Sequence, residues 1–273
     1  MKALPETPLV SIVTPSYNTG RYIEETLRSV QMQDYPRIEH IVLDSGSTDG
    51  TAEILSRYPS VRVISPAPAG PVEKVNHGIS IAHGDIVAWL CADDYYLPGA
   101  ISRAVAALQR NPDAALVYCS NLRVDENSIE VDREQGRQAG FRELLDERCY
   151  VPLQTAFMRR EALERVGPLD KRYPMVADWD LFLRISREYP IHFEDDWWAA
   201  FRLHDSQLSA VRKYALWSEG RKMTRGHGGR FFSPLFRDYW RGKFSRAVLM
   251  LRRRQFGVFN AKLRDFLVGF GRQ

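Results

Sequence analysis

The sequence predicts an α/β fold with a doubly wound, mainly parallel sheet, flanking helices and a basic helical extension at the C-terminus. In the first 110 residues, short β-branched runs alternate with apolar residues at helical spacing, which is typical of parallel strands joined by crossover helices. Polar residues directly follow three of these strands, where the ligands of such sheets bind. Composition agrees, since 44% hydrophobic and 26% charged residues are ordinary for a globular chain of 273 residues.

The elements of the first half follow in order. Apolar and β-branched runs predict four strands, at 9–14, 38–44, 61–64 and 85–91. Helical spacing predicts three inward-facing sets: Ile23, Leu27 and Val30; Val72, Val75, Ile79 and Ala82; and Ile101, Val105 and Leu108. We expect Ser47 or Thr48 to cap the helix after the second strand, and Pro98 to occupy the first turn of the last helix.

The second half is less regular. It contains predicted strands at 115–120, 154–158 and 191–203, a hairpin over 122–131 and a helix that starts near Asp178. From 211 onwards the pattern is helical and rich in aromatics, with stripes over 244–251 and 259–270. We therefore predict one domain over 1–210, divided at 110 into two halves, and a separate tail over 211–273.

The charge is unevenly distributed. Residues 211–273 contain 16 lysines and arginines against three acids, a net charge of +13, whereas residues 1–210 carry 22 against 31, a net charge of −9. This asymmetry predicts an anionic partner for the tail. A solvated helical surface, an oligomerisation arm and a segment lying on an anionic membrane are three interpretations, and cationic, aromatic helices favour the membrane. Nucleic acid is disfavoured because no recognition motif accompanies the charge.

The sequence also limits where the protein acts. No apolar run approaches the roughly 20 residues that a membrane-spanning helix needs, and the N-terminus lacks the apolar core of a signal peptide. Three scattered cysteines do not form a disulfide framework and fit a reducing compartment. We expect a cytoplasmic protein that associates peripherally with the inner face of the cell membrane.

The strand ends predict a nucleotide site of an unusual kind. The Gly-x-Gly-x-x-Gly fingerprint of dinucleotide binding is absent after the first strand, where Pro15–Asn18 stand instead, and there is no Walker motif. Tyr17 offers a flat face for a base, and Asp44 can accept hydrogen bonds from a base imide or a ribose hydroxyl. The adjacent carboxylates of Asp93 and Asp94 suit Mg²⁺ or Mn²⁺, which can bridge a diphosphate.

Several short segments recur in a specific order. They are Thr14–Asn18, Asp44–Thr51, Asn76–Gly78, Gly84–Asp85, Trp89–Asp94, Asp178–Leu181 and Arg202–His204. In this order and spacing the chain resembles the family 2 glycosyltransferases over about residues 8–210. The resemblance implies a GT-A-like fold, with a nucleotide-sugar-binding half at 1–110 and an acceptor-binding half at 111–210.

The resemblance also implies roles for individual residues. The candidate nucleotide-binding residues are Pro15, Tyr17, Asn18, Asp44, Lys74 and Asn76. The candidate metal ligands for Mn²⁺ or Mg²⁺ are Asp93, Asp94 and His204. Cys91 departs from the family pattern, because it stands where the metal motif usually has its first Asp, and we expect it to be a neutral, buried thiol.

The remaining roles concern the transfer itself. Residues two apart on a helix do not share a face, so only one of Asp178 and Asp180 should point into the site. The resemblance favours Asp178, which aligns with the family's catalytic base. Gln154, Trp179 and Arg202 are expected near the sugar or the acceptor. One carboxylate that deprotonates an attacking hydroxyl implies a single displacement with inversion.

The predicted activity is a metal-dependent, inverting transfer of a sugar from a nucleotide-diphospho-sugar to a hydroxyl acceptor. A UDP-sugar is favoured because Asp44 would meet the imide of uracil; dTDP is permitted by the same argument, and GDP is less favoured. The expected acceptor is a surface polysaccharide or a lipid-linked glycan. Cys91 motivates a rival hypothesis, a catalytically weak or silent nucleotide-sugar-binding subunit that partners another transferase. A homo-oligomer is compatible with either.

Overall fold

The computed structural model describes residues 1–207, 213–230, 233 and 234. Within these residues, nine strands form one sheet. The strands are β1 (Val10–Ser16), β2 (Ile38–Asp44), β3 (Arg62–Ile64), β4 (Ile86–Trp89), β5 (Tyr95–Tyr96), β6 (Leu116–Val124), β7 (Glu130–Glu134), β8 (Phe157–Arg159) and β9 (Ile191–Arg202). Their order across the sheet is β3-β2-β1-β4-β8-β6-β9-β5, and β7 pairs with β6.

Helices cover both faces of this sheet. They are α1 (Ile23–Gln31), α2 (Thr51–Ser56), α3 (Pro71–Ile81), α4 (Ala100–Arg110), α5 (Phe141–Asp146), α6 (Arg160–Val166), α7 (Ala177–Glu188) and α8 (Lys213–Gly226), together with a 3₁₀ turn at Leu153–Thr155. Successive residues of β1 point to opposite faces, so Val13 packs in the core beneath α3 and α7, whereas Ile12 packs in the core beneath α1 and α4.

The first half of the sheet is parallel, as predicted. β1 pairs in parallel with β2 and β4, and β2 pairs in parallel with β3. Ser16 lies opposite Asp44, and Val13 lies opposite Trp89. The loops that follow β1, β2 and β4 therefore meet at one edge of the sheet. The second half is mixed, because β8 runs antiparallel between β4 and β6, while β6 and β9 are parallel.

Three local predictions differ from the structure. The cap of α2 is Gly50, in the left-handed region at φ +89°, rather than Ser47 or Thr48. The hydroxyl of Ser47 donates to Asp44, and the backbone N–H of Thr48 donates to the side chain of Asn18. Pro98 lies just before α4, whose cap is Gly99 at φ +72°.

The third difference concerns the strand predicted at 154–158, of which only the last two residues lie in a strand. The structure has the 3₁₀ turn there, followed by the shorter strand β8. The hydroxyl of Thr155 donates to the carbonyl of Cys119, and Gln154 turns towards Asp94. These bonds bend the chain away from the sheet.

The tail predicted over 211–273 is described only at its start. α8 lies there and packs on α7, with Met223 fully buried in the core beside Trp179. The predicted apolar stripes over 244–251 and 259–270 lie outside the described residues. Among the residues that the structure describes, no helix combines the length and the apolarity needed to cross a membrane.

Candidate active site

A cavity of about 380 Å³ opens where the strand ends meet the start of α7. The loops after β1 and β4 contribute Pro15 and Asp93 to its lining. The opposite side is formed by Asp178 in the first turn of α7 and by Leu216 of α8. The cavity therefore brings together residues from both predicted halves and from the predicted tail.

Asp44 ends β2 as a buried carboxylate with its acceptor positions filled. One carboxylate oxygen accepts bonds from the hydroxyls of Ser16 and Ser47. The other accepts the backbone N–H groups of Gly46 at 3.0 Å and Ser47 at 2.9 Å. Since a carboxylate has about four acceptor positions, a nucleoside that reaches Asp44 must replace one of these donors.

The loop after β1 is tied to the loop after β2. Asn18 is in the left-handed region at φ +52°, and its side-chain oxygen accepts the backbone N–H of Thr48 at 2.9 Å. Its own backbone N–H donates to the hydroxyl of Ser47 at 2.8 Å. Tyr17 is 58% exposed, and its ring centre lies 5.9 Å from the ammonium nitrogen of Lys74. The structure thus presents an aromatic face on a fixed loop.

The two predicted residues of α3 diverge. Lys74 is buried and donates to the carbonyl of Ser16 at 2.9 Å, and burial lowers the pKa of its ammonium, opposed by the nearby Asp44. Asn76 does not reach the cavity. Its amide donates to the carbonyl of Leu169 at 3.0 Å and accepts the backbone N–H of Leu169 at 2.8 Å, so it holds the loop before α7. Of the six predicted nucleotide-binding residues, only Pro15 lines the cavity.

Three potential metal ligands lie together after β4. Cys91, Asp93 and Asp94 each offer a ligand atom, and these atoms lie within 4.8 Å of one another. Burial, and then the charge of Asp93, raises the pKa of Asp94 well above its ordinary value. Because burial and mutual repulsion oppose the charged forms, the cluster is electrostatically suited to a cation.

Cys91 belongs to this cluster, although sequence reasoning did not count it among the metal ligands. Burial raises the pKa of its thiol well above the ordinary value, and Asp93, Asp94 and Asp178 raise it further. The thiol is therefore neutral, as expected. The motif alignment, in which Cys91 occupies the place of an Asp, was the available signal.

His204 lies beside the cluster but outside its three-ligand group. Its Nε2 is 3.0 Å from the carboxylate of Asp93, and its Nδ1 is 2.8 Å from the hydroxyl of Ser206. Its ring packs against Tyr22, with the ring centres 4.9 Å apart. In this arrangement His204 orients the carboxylate of Asp93.

Asp178 and Asp180 have opposite environments. Asp178 lines the cavity, and no side chain of the described residues is hydrogen-bonded to its carboxylate. Burial raises the pKa of Asp178, while the backbone N–H groups of Trp179 and Asp178 act in the opposite direction. Asp180 is buried on another face of α7, 2.8 Å from Nε of Arg184 and 2.8 Å from Nε2 of His227. Of these two aspartates, Asp178 is therefore the one that lines the cavity.

Two of the three residues expected near the sugar or acceptor are elsewhere. Arg202 is 1% exposed, and its guanidinium donates to the carbonyl of Asp93 and to the carboxylate of Glu25 rather than into the cavity. The side chain of Trp179, in the first turn of α7, is buried in the core, and its indole N–H donates to the carbonyl of Leu144 at 2.8 Å. Gln154 does line the cavity and donates to Asp94 at 2.8 Å.

Other cavity residues escaped sequence reasoning. They include Asn121, Glu134, Cys149 and Leu216. Asn121 is 1% exposed, and its side-chain oxygen has no hydrogen-bond partner among the described residues. Its strand was predicted to end at 120, so no pattern marked it. Leu216 lies in the predicted tail, which spacing could not place against α7.

Comparisons with known proteins agree with this geometry. A model of the family described as Glycosyl transferase family 2 matches residues 11–167. An uncharacterized glycosyltransferase from Rickettsia typhi is 29% identical over 233 residues, which cover 80% of this chain and 73% of that protein.

Two solved structures share the fold. The S. aureus TarS fragment 1-349 in complex with UDP-GlcNAc aligns with a TM-score of 0.63 and 17% identity, over 87% of this chain and 73% of that chain. The mannosyltransferase PcManGT from Pyrobaculum calidifontis, in complex with GDP-Man and Mn²⁺, aligns with a TM-score of 0.61 and 23% identity, over 86% and 69%. The predicted GT-A-like α/β fold is confirmed.

Proposed function

The chain belongs to glycosyl transferase family 2, and we propose that it moves a sugar from a nucleotide-diphospho-sugar to a hydroxyl acceptor with inversion at the anomeric carbon. One observation carries this proposal. Asp178, a carboxylate without a side-chain partner among the described residues, faces the same cavity as Asp93 and Asp94. A base and a cation-suited cluster on opposite sides of one cavity are what a single displacement of a diphosphate requires.

The chemistry follows from this placement. The acceptor oxygen attacks the anomeric carbon while its proton passes to the carboxylate of Asp178. The bond between the anomeric carbon and the diphosphate oxygen breaks, and the electron pair leaves with the nucleoside diphosphate. Because burial raises the pKa of Asp178, its carboxylate is a better proton acceptor than an ordinary one.

The residues after β4 fit a divalent cation. Asp93 and Asp94 would hold it with hard oxygen ligands, which suit Mn²⁺ and Mg²⁺, and Cys91 lies within the same group. When bound, the ion would supply charge neutralisation for the leaving diphosphate. His204 would keep the carboxylate of Asp93 in orientation.

The donor is proposed to be a UDP-sugar, which Tyr17 and the loop of Asp44 would receive. One solved neighbour was crystallised with UDP-GlcNAc and the other with GDP-Man, so both bases belong in the test. Calorimetric titration with UDP, dTDP and GDP, each with and without Mn²⁺, measures donor choice and metal dependence. We expect Mn²⁺-dependent binding of UDP, and product formation from a UDP-sugar.

Other results would redirect the proposal. Metal-independent binding would show that the cluster at Cys91 does not hold the ion. Binding without product formation across a panel of donors and hydroxyl acceptors would favour the silent subunit. Preference for GDP would overturn the choice of donor but leave the transfer intact.

Peripheral association with an anionic membrane is proposed for the segment 211–273, with its net charge of +13. Such a surface would give access to lipid-linked glycans or to growing surface polysaccharide. Flotation with phosphatidylglycerol-containing vesicles tests this, with purely zwitterionic vesicles as the control. We expect flotation only with anionic vesicles and its loss at high salt; equal behaviour on both vesicle types would contradict it.

A further inference from the structure

Three residues that flank Asp178 in the sequence are all held by the same distant segment. They are Met175, Trp179 and Asp180, and their partners are Glu219 and Gly220 of α8 and His227 of the turn after it. The carboxylate of Asp178 has no side-chain partner of its own among the described residues. Its position therefore depends on how the surrounding backbone is held.

The first contact fixes the approach to α7. The carboxylate of Glu219 accepts the backbone N–H of Met175 at 2.8 Å, two residues before α7 begins. Met175 lines the cavity, as does Leu216 one turn earlier on α8. α8 thus forms part of the cavity wall and also accepts a hydrogen bond from the segment that precedes α7 and Asp178.

The second contact is a close approach of helix backbone to an indole ring. A Cβ atom at Gly220 would lie 2.8 Å from Cζ3 of Trp179, closer than real Cβ contacts allow. The ring cannot retreat easily, because its N–H is bonded to the carbonyl of Leu144 at 2.8 Å. The absence of a side chain at Gly220 therefore lets α8 lie directly on the residue after Asp178.

The third contact holds the next turn of α7. Nε2 of His227 lies 2.8 Å from Asp180, and Arg187 donates to the carbonyl of His227 at 2.8 Å. Arg184 also donates to Asp180. Asp180 and Arg187 of α7 therefore both bond to His227 in the turn after α8. These two bonds fix the rotation of α7 about its axis.

We propose that α8 and the turn after it form a positioning element for Asp178, so that the C-terminal segment controls the chemical step from the back of α7. This inference rests on the proposed role of Asp178 as base. Its rival is that α8 only adds packing energy to the fold. The two differ in their consequences, because a positioning element affects kcat, whereas packing alone affects thermal stability.

A matched pair of glycine substitutions on α8 tests the proposal in the full chain. Gly220→Ala places a methyl group against Trp179, whereas Gly226→Ala meets only the hydroxyl of Tyr173 at 3.4 Å. For Gly220→Ala we expect about a 10- to 100-fold loss of kcat, since small misplacements of reacting groups are costly, with the KM for the donor unchanged. Gly226→Ala should keep the kcat of the native protein.

A second pair of variants, at Glu219, keeps the proposal testable if Gly220→Ala does not fold. Glu219→Ala removes the acceptor for the N–H of Met175, and we expect a loss of kcat. Glu219→Gln retains a carbonyl oxygen at that place and should restore most of what the alanine variant loses. Hydrogen exchange over residues 175–182 gives a readout that needs no substrate, and it should be faster in Gly220→Ala and Glu219→Ala than in Gly226→Ala.

The outcomes separate this inference from the proposed function. Lower Tm with native kcat and native exchange over 175–182 would overturn the positioning role and leave α8 as packing. A higher donor KM at native kcat would also overturn it. If the native protein makes no product, the proposed function fails, and hydrogen exchange still decides whether α8 holds the first turn of α7.

Discussion

The two sides of the cavity are built in different ways. The strand wall is formed by the loops after β1, β2 and β4, and protein groups already bond its carboxylates. Asp44 accepts four hydrogen bonds. Asp94 accepts the backbone N–H of Arg202 and the side-chain amide of Gln154. The helix wall, formed by the start of α7 with α8, carries Asp178, which has no side-chain partner among the described residues. One wall is arranged before any ligand arrives, and the other keeps a free carboxylate for chemistry.

The supporting contacts also differ in what they hold. In the strand wall they bond the carboxylates themselves: Asp44 accepts Gly46 and Ser47, and Asp94 accepts Gln154 and the backbone N–H of Arg202. In the helix wall, groups 44 and 47 residues away hold Met175 and Asp180, on either side of Asp178 in the sequence. Substitutions in the strand wall are therefore expected to affect binding first, and substitutions in the helix wall to affect turnover first.

The largest expected effect is on turnover. Asp178→Asn removes the proposed base, and we expect a loss of kcat of about 10²- to 10⁴-fold, the usual contribution of a general base. The free energy of unfolding should not fall, because no side-chain bond of the described residues is lost. Initial rates with a UDP-sugar measure the change in kcat, and urea unfolding measures the free energy of unfolding.

The comparison variant lies two residues further along α7. Asp180→Asn leaves Arg184 and His227 facing a neutral amide, so we expect a lower Tm. Its loss of kcat should be smaller than that of Asp178→Asn, because a positioning contact is weakened while the carboxylate of Asp178 remains. If Asp178→Asn retained near-native turnover, the division between the walls would be wrong and another group would have to act as base.

The next largest effect is a loss of unfolding free energy at low pH, caused by a histidine in the strands that carry the strand wall. His40 of β2 is buried beside the hydroxyl of Thr14 of β1, at 3.0 Å, and burial lowers its pKa from 6.5 to about 4. Between pH 6.5 and pH 4, His40 is therefore protonated in the unfolded chain but neutral in the folded chain. The free energy of unfolding falls as the pH decreases through this range. At roughly 1.36 kcal/mol per pKa unit, the full loss is about 3 kcal/mol.

Urea unfolding as a function of pH checks this prediction. His40→Gln should remove this part of the pH dependence. A native profile that stays flat between pH 6.5 and 4 would contradict the role of His40.

A smaller effect tests whether the strand wall is held by Asp44. Asp44→Asn replaces one carboxylate oxygen by an NH2 group that cannot accept, so either the hydroxyls of Ser16 and Ser47 or the N–H groups of Gly46 and Ser47 lose their acceptor. We expect a loss of unfolding free energy of about 1–3 kcal/mol, together with weaker binding of UDP. Calorimetry and urea unfolding measure both, and Asp178→Asn, which should show neither effect, is the comparison.

The smallest effect is a displacement of the pH profile of turnover. Asp178 must be deprotonated to act, and burial raises its pKa above 3.8. Hence kcat should fall as pH decreases through this raised pKa, and the acid limb should lie above the range of an ordinary aspartate. Initial rates at saturating donor and acceptor give the profile. An acid limb at the pKa of an ordinary, solvent-exposed aspartate would contradict the assignment of the base to the buried carboxylate of Asp178.

How far the sequence predicts the molecule follows the same division. The strand at 38–44 matches β2 residue for residue, and the parallel order of the first strands brings Asp44 and Asp93 to one edge as expected. These features depend on local periodicity and on the topology of parallel sheets. The cap at Ser47 failed because Asp44 competes for its hydroxyl.

Side-chain direction was harder to predict. Asn76 and Arg202 stand in motifs of the family, yet each bonds to a backbone carbonyl, of Leu169 and Asp93 respectively, that no spacing rule assigns. Leu216 and Gly220 gain their places only through tertiary contact with the loop before α7 and with Trp179. The proposed nucleotide and metal roles of individual residues stay predictions until they are measured.

The buried guanidinium of Arg202 has a consequence for the enzyme's working cycle. It is permanently charged, it bonds to the carbonyl of Asp93 and to Glu25, and it lies against the rings of Tyr22 and Tyr95. The loop that carries Asp93 and Asp94 therefore has a counter-charge supplied by the protein itself. In the proposed reaction, this loop would keep its shape from one donor to the next, whether or not a cation is bound to its carboxylates.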